Sequence, residues 1–257
     1  MPIELTISAG TLYGFLLVLA RISGAMVFVP LPGFGNEPGP ARVALALGFT
    51  LALATRWPVI DATEASPGNL AAWALAEAAV GLAIGVSVAI VLESFTFAAQ
   101  VFGLPAGYGY ASTVDPATQA DSGILLVLAQ LIAGMLFFAL GLDRTVLRLF
   151  AQSLESIPVG TYAFNLASAE ILTRLASNLF SVGVRLAMPV VALLAMVDVA
   201  LALLGRLNSQ LQLLSLSFPA KMLTALVMMT WLAALYPRIL SSSAQQAWIA
   251  VRRILGI

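Results

Sequence analysis

Long apolar stretches, separated by short polar or proline-rich segments, run through almost the whole chain. A membrane-spanning helix needs about 20 mostly apolar residues, and several of these stretches reach that length. The pattern predicts an all-α membrane protein with about six hydrophobic helical segments, several kinked or hairpin-like, packed in a multi-subunit helical assembly. The apolar segments lie at residues 12–31, 43–57, 70–104 and 124–142, within 179–221, and at 222–236.

Two of these stretches do not have the length of one crossing. Residues 43–57 are marginal for a full crossing and indicate a half-crossing or a tilted, packed helix. Residues 70–104 are much longer than one crossing needs, and predict either a helix that projects beyond the bilayer or a bent pair. The expectation of about six crossings therefore depends on how these two stretches fold.

The composition places the chain among polytopic membrane proteins. It is 61% hydrophobic and 9% charged with a mean hydropathy of +1.00, whereas soluble domains are about 25% charged. The formal net charge is +0 without a basic tail, so nothing favours nucleic-acid binding. Without Cys or His, disulfides, thiolate metal sites and Ser-His-type triads are excluded. We therefore expect no catalytic residues, no metal site and no cofactor.

The N-terminal apolar segment is not predicted to be a removable signal peptide. No Arg or Lys precedes it, and no small-residue cleavage pattern follows it. We expect this first helix to be retained, in a single domain over residues 1–257. Its parts are N-terminal helices 1–104, a loop 105–122, C-terminal helices 123–236 and an amphipathic tail 237–257.

The segment Leu179–Lys221 carries charges inside sequence that otherwise suits hydrocarbon. A charge at bilayer depth costs a few kcal/mol or more, so it normally faces protein, water or an opposite charge. Arg185 and Asp198 lie about 19 Å apart on one helix and cannot pair, which leaves Lys221 as a candidate partner of Asp198. Pro189 and Pro219 each predict a kink or a break. A polar turn joins the two apolar runs through Arg206, Asn208, Ser209, Gln210 and Gln212.

The intramembrane charges as a group admit two interpretations. Salt bridges and hydrogen bonds within or between subunits are the more common arrangement, and lining of a transport path or proton coupling is the alternative. The predicted buried charge and polar network comprises Arg21, Glu77, Glu93, Arg185, Asp198, Arg206, Gln210 and Lys221.

Small residues recur along the third apolar stretch. Glu77, Gly81, Gly85, Ala89 and Glu93 stand four apart and lie along one slowly drifting helical ridge. Small residues at this spacing let another helix approach closely. Packing within the chain is the simpler interpretation, and a face for another subunit is the alternative. Gly81 and Gly85, with Pro189 and Pro219, are the predicted helix-packing positions.

A glycine- and proline-rich loop follows at Gly103–Ser122. Its glycine spacing fits neither a P-loop nor a dinucleotide fingerprint, and it has no Lys. An exposed turn and a functional lid are both open for a loop of this length between membrane helices.

Basic residues predict the orientation and the nature of the tail. The C-terminal stretch places Trp248, Ile249 and Ile254 among arginines, which indicates a short helix at the membrane surface after Pro237. If the C-terminus is cytoplasmic, the acidic loop at Gly103–Ser122 falls outside, as the positive-inside rule favours. The arginines that then fall inside are Arg56, Arg144, Arg148, Arg174, Arg238, Arg252 and Arg253.

Several motifs, in order and over nearly the whole length, resemble the FliR family of flagellar type III export-gate proteins, equivalent to the injectisome subunit SctT. The matching motifs are Ala20–Gly24 with Pro30–Pro32, Glu77 with Val80–Gly85, Gly107–Pro116, Ser153–Gly160, Arg185–Pro189, Gly205–Arg206 and Phe218–Lys221. The chain departs from the family at Asn208–Gln212, where only Gln210 is retained, and at Ser217 in place of the usual glycine.

The resemblance implies a non-enzymatic subunit of a type III secretion gate in the flagellar basal body of the bacterial inner membrane. Such a subunit assembles with FliP and FliQ homologues, associates with FlhB and passes unfolded export substrates. It also implies bent hairpins in an assembly partly lifted from the bilayer. The loop corresponds to the family's plug-forming loop, with Gly107, Tyr108, Gly109, Tyr110, Val114, Asp115 and Pro116 as pore and plug residues, of which Tyr108, Tyr110 and Val114 are candidates for the constriction.

Two other classes of function remain as alternatives at the level of sequence. A secondary transporter for a small solute or lipid also has broken helices and buried charge, but the two halves show no convincing inverted repeat. A membrane enzyme is a third reading, against which the absence of His and Cys counts. A transporter is expected to work alone, whereas a gate subunit is expected to be stable only with its partners.

Overall fold

The structure is a computed structural model that describes residues 8–28, 39–61, 65–108, 124–162, 165–207 and 213–256, with only the backbone at 213–216. Every regular element within these ranges is helical, which confirms the predicted all-α class. The α-helices are α1 Ala9–Met26, α2 Gly39–Ala52, α3 Pro67–Gly103, α4 Ile124–Ala139, α5 Leu142–Ser156, α6 Leu166–Leu207 and α7 Leu213–Leu255, with a 3₁₀ turn at Ala54–Arg56.

Four helices in the described ranges, α1, α3, α6 and α7, are long and apolar enough to cross a membrane. A fifth span is possible only if α4 and α5, which are separated by a bend, count as one. Each of the six predicted apolar segments corresponds to a helix, but α2 has only 14 residues and is too short to cross. The expectation of six full crossings is therefore reduced to four or five.

Three long helices run unbroken through positions at which the sequence allowed a bend, a kink or a break. The stretch 70–104 is one 37-residue helix, so the bent-pair alternative does not apply. Pro189 lies inside α6, and Pro219 and Pro237 lie inside α7, so none of these prolines ends a helix. The tail after Pro237 is thus a continuation of α7, not a separate helix. Beside Pro237, the buried ring of Tyr236 stacks on Phe95 with centroids 4.3 Å apart.

The helix α5 is the element that the hydrophobic pattern did not predict. It begins after Gly141, which has a left-handed φ of +65°, and it is amphipathic. The buried residues recur at helical spacing on one side of α5, at Leu142, Val146, Leu149, Phe150 and Ser153. Because the other face of α5 is polar, the sequence of α5 does not stand out as an apolar segment. Its apolar face nevertheless contributes buried residues to the core.

The chain divides into two compact units, 1–90 with 141–175 and 244–257, and 91–140 with 176–243. In the first unit α1 lies in close contact with two other segments through its glycines. A Cβ added at Gly14 would collide with the carbonyl of Pro58, and one added at Gly24 would collide with the carbonyl of Ala78 on α3. Small residues allow the backbones of membrane helices to approach each other this closely.

The second unit contains the end of α3, α4, most of α6 and most of α7. Gly183 of α6 fits against α3, because a Cβ there would lie 3.0 Å from the carbonyl oxygen of Ser94. Phe97 and Phe180 meet edge to face with centroids 5.1 Å apart. The phenol of Tyr236 donates a 3.3 Å hydrogen bond to the carbonyl of Val91.

Candidate functional site

A buried ion pair occupies the core of the first unit. Arg21 of α1 donates from Nε to Oε2 of Glu77 on α3 at 2.5 Å, and both side chains are fully buried. Arg21 also donates from Nη1 to the hydroxyl of Ser153 on α5 at 2.9 Å. The pair therefore connects three helices that are far apart in sequence.

The second carboxylate oxygen of Glu77 is also satisfied. It accepts a 3.1 Å hydrogen bond from the backbone N–H of Gly160, in the turn after α5. Gly160 has a φ of +74°, and a Cβ there would collide with the ring of Trp73. Only glycine can place its N–H against Glu77 in this conformation without strain. Arg21 Nη2 is the one buried nitrogen of this group without a hydrogen-bond partner in the described chain.

The glycine ridge of α3 brings the pair together. A Cβ at Gly81 would collide with the carbonyl oxygen of Arg21, and one at Gly85 would collide with that of Ala25. The two glycines thus serve packing within the chain, as the simpler interpretation of the ridge holds. Because α1 rests directly on this ridge, the guanidinium of Arg21 reaches Glu77 one turn away. Glu93, at the far end of the ridge, accepts instead from the hydroxyl of Thr96 within α3.

The second unit contains a second ion pair. Lys221 Nζ of α7 lies 2.5 Å from Asp198 Oδ1 of α6. Lys221 is therefore the ion-pair partner of Asp198, for which the sequence made it the candidate. This pair is more open than the first, since the side chains of Lys221 and Asp198 are 19% and 51% exposed. It joins the two apolar helices that flank the polar turn.

The first residues of the predicted loop contact the same stretch of α7. The phenol of Tyr108 donates a 3.1 Å hydrogen bond to the carbonyl of Met222, and burial raises the pKa of that phenol. Gly107 has a φ of +91°, and a Cβ there would lie 2.9 Å from the ring of Phe218. The base of the loop is therefore seated on α7 beside Lys221. The remaining predicted loop residues lie outside the described residues: Gly109, Tyr110, Val114, Asp115 and Pro116.

The predicted charge network is not one buried cluster. Of the network residues that the structure describes, only Arg21 and Glu77 are fully buried, while Arg185 and Arg206 are exposed on α6. The reason is that the chain leaves the outer faces of α6 uncovered, so a charge there is not enclosed by this chain alone. Pro189 and Pro219 are also exposed on the surface of this chain, so the packing role predicted for them stays a prediction. Gln210 lies outside the described residues.

Sequence comparison identifies the family. The chain matches the family described as bacterial export proteins, family 1, over residues 12–247. It is 30% identical over 225 residues to the flagellar biosynthetic protein FliR of Escherichia coli, covering 87% of this chain and 83% of that protein. The chain belongs to the FliR family of bacterial export proteins.

Other FliR proteins agree with this membership. The FliR of Caulobacter vibrioides is 25% identical over 85% of this chain and 88% of its own length. The FliR of Bacillus subtilis is 26% identical over 84% of each chain. A member of this family with several spanning helices is a membrane-embedded component of the flagellar export apparatus.

Sequence reasoning overlooked two residues that contact the Arg21–Glu77 pair in this chain. Ser153 and Gly160 lay in a recognised motif but were not assigned to Arg21 and Glu77. A buried arginine and a buried glutamate have more hydrogen-bonding groups than they can satisfy with each other. The need for further partners was the signal that could have pointed to Ser153 and Gly160. Within the described ranges, no group of three His, Cys, Asp or Glu residues could hold a metal ion.

Proposed function

We propose that this chain is a non-enzymatic subunit of the flagellar export gate, which forms a channel with FliP and FliQ homologues for unfolded export substrates. The observation that carries the proposal is the family match over residues 12–247. In this proposed role the subunit supplies fixed helical surfaces to the channel, and it makes or breaks no covalent bond. FlhB and membrane lipids are the further partners in this proposal.

Uneven burial of the spanning helices supports a role inside an assembly. About half of the most apolar window is buried within the chain for α1 and α3, at 50% and 56%. The corresponding windows of α6 and α7 are only 22% and 17% buried. Since α6 and α7 also carry charged side chains, pure lipid is a poor environment for all of this surface. Neighbouring subunits would cover it.

The proposed location is the inner membrane, with the C-terminus in the cytoplasm. The basic residues near the end of α7 support this orientation, because arginines are retained on the cytoplasmic side of a membrane. Arg252 and Arg253 are exposed there, and Arg252 donates to Gln152 at 3.4 Å.

The loop after α3 is proposed to act as the plug of the channel. The seating of Tyr108 on Met222 and of Gly107 against Phe218 supports this role, because it fixes the first residues of the loop to α7. Opening of the gate would then release these contacts, while the Asp198–Lys221 pair keeps α6 and α7 together.

Co-purification tests the proposal directly. The chain is expressed in mild detergent with and without FliP and FliQ homologues from one genome, and the particle is weighed by native mass spectrometry. We expect one large complex that contains all three proteins, and a poorly behaved chain when it is expressed alone. A monodisperse, stable particle of this chain alone, indifferent to both partners, would contradict the proposal and favour the small-solute transporter.

A further inference from the structure

One face of α6 combines a positive charge with an otherwise apolar, uncovered surface. Residues at helical spacing along this face are all exposed, and they form what we call the Arg185 face: Ser177, Ser181, Arg185, Met188, Ala192, Ala195 and Val199. The larger side chains beside Arg185 are apolar and exposed as well, at Phe180, Val184 and Met188. Arg185 thus stands alone as a charge on this part of the helix.

Arg185 forms no ion pair with the residues that the structure describes. Asp198 is about 19 Å along the same helix and is engaged by Lys221. Glu93 lies on α3, the helix that packs against α6 at Gly183, but its carboxylate accepts from Thr96. Among the residues that the structure describes, the carboxylates of Glu77, Glu155, Glu170 and Asp198 pair with Arg21, Arg56, Arg174 and Lys221, and not with Arg185.

Pro189 also leaves a backbone carbonyl of the same turn without its usual hydrogen-bond donor. Proline has no N–H, so the carbonyl of the residue four positions earlier, Arg185, loses its donor within the helix. Both Arg185 and Pro189 are exposed. In a spanning helix a freed carbonyl must be satisfied by a neighbouring group. One turn of α6 therefore combines a charged donor with a carbonyl that has lost its usual helical donor.

Small side chains flank this turn along the face. Ser177 and Ser181 precede it, and Ala192 and Ala195 follow it. Small residues allow a second membrane helix to approach closely enough for side-chain contacts. Lipid head groups could pair with an arginine, but they gain nothing from small residues over about five turns of helix.

We propose that the Arg185 face binds a membrane helix of another gate subunit, which presents an Asp or Glu carboxylate to the Arg185 guanidinium. This inference rests on the proposed function and names the surface that the assembly uses. A hydroxyl or amide of the same partner helix satisfies the carbonyl of Arg185. Charge pairing positions the partner helix, and the small residues set its distance from α6.

Charge substitution with a matched control tests the inference in the full complex. Arg185→Glu and Arg185→Gln are co-expressed with FliP and FliQ homologues, beside Arg174→Glu and Arg174→Gln. Arg174 is an exposed arginine on the same helix that pairs locally with Glu170 at 2.7 Å. We expect the Arg185 substitutions to lower the yield of complex about tenfold or more, because the partner's carboxylate is left unpaired. The Arg174 substitutions should leave it close to the unsubstituted yield.

A photo-crosslinking residue at Met188, in an otherwise unchanged chain, covers the case in which the Arg185 variants fail to fold. We expect a crosslink to another subunit, within about one helical turn of an Asp or Glu. If the complex forms but Met188 crosslinks only to lipid, or the Arg185 variants assemble as well as the Arg174 variants, the inference is wrong and the proposed function stands. If the unsubstituted chain itself fails to form a complex, the proposed function is wrong.

Discussion

At the scale of single residues, the Arg21–Glu77 pair has the most demanding environment in the chain. Both side chains are fully buried, and burial of a charge is tolerated only when its partners are present. Glu77 has contacts for both of its oxygens, from Arg21 and from the N–H of Gly160. Removing one member of such a pair is therefore more harmful than removing both.

Glu77→Ala is expected to lower the free energy of unfolding by about 3–5 kcal/mol, because it leaves Arg21 buried without a counter-charge. Replacing both residues, as Arg21→Met with Glu77→Leu, should recover much of that loss. Unfolding of the purified chain or complex in detergent, followed by tryptophan fluorescence, measures the difference. Glu170→Ala, which removes an exposed pair, should cost only about 0–1 kcal/mol. Equal losses for Glu77→Ala and Glu170→Ala would show that the buried pair has no special role.

At the scale of elements, glycines determine how α1 meets α3. The backbone carbonyl of Arg21 occupies the space that a Cβ at Gly81 would need. A backbone atom cannot move as a side-chain tip does, so even the smallest side chain must separate the two helices. That separation would also lengthen the contact between Arg21 and Glu77.

Gly81→Ala is expected to destabilise the chain by about 1–3 kcal/mol through overpacking. Gly48→Ala is the matched control, since Gly48 lies in α2 with nothing within 4 Å of its added Cβ. There alanine should stabilise the helix by about 0.5–1 kcal/mol. Thermal unfolding of the two variants should shift in opposite directions. A shift in the same direction for both would mean that α1 and α3 do not meet as closely as described.

At the scale of the whole molecule, the uncovered surfaces of α6 and α7 are the dominant feature. Exposed apolar side chains of α7 include Leu223, Val227, Trp231 and Leu235. In the proposed gate, such a surface would become a contact between subunits. The natural chain has no cysteine, so single introduced thiols can report on it.

Val227→Cys should react readily with a membrane-permeant maleimide in the chain alone and several-fold more slowly in the complex with its partners. Val227 is 62% exposed in this chain, whereas Met229, two residues later, is fully buried. Met229→Cys should therefore react slowly in both preparations and serves as the control. Mass spectrometry of the labelled protein gives both rates. If the labelling rate of Val227→Cys is the same in the complex as in the chain alone, this part of α7 contacts lipid and not another subunit.

The sequence by itself determined the class of the molecule and most of its helices. Apolar length and helical period are local properties, so they predicted the six apolar helices, and the spacing of the charges indicated the candidate partner of Asp198. The amphipathic helix α5 was missed because half of its surface is polar. The tail after Pro237 was predicted as a separate helix because a proline locally favours a break, whereas α7 continues through Pro237.

Only the tertiary structure decided which distant residues meet. Arg21 contacts Glu77 and Ser153 across 56 and 132 residues of chain, and no local pattern encodes such pairings. It also separated the charges into the enclosed Arg21–Glu77 pair, the open Asp198–Lys221 pair and the exposed Arg185. The physical reason is that the cost of a charge depends on what surrounds it, and its surroundings are created by packing between helices.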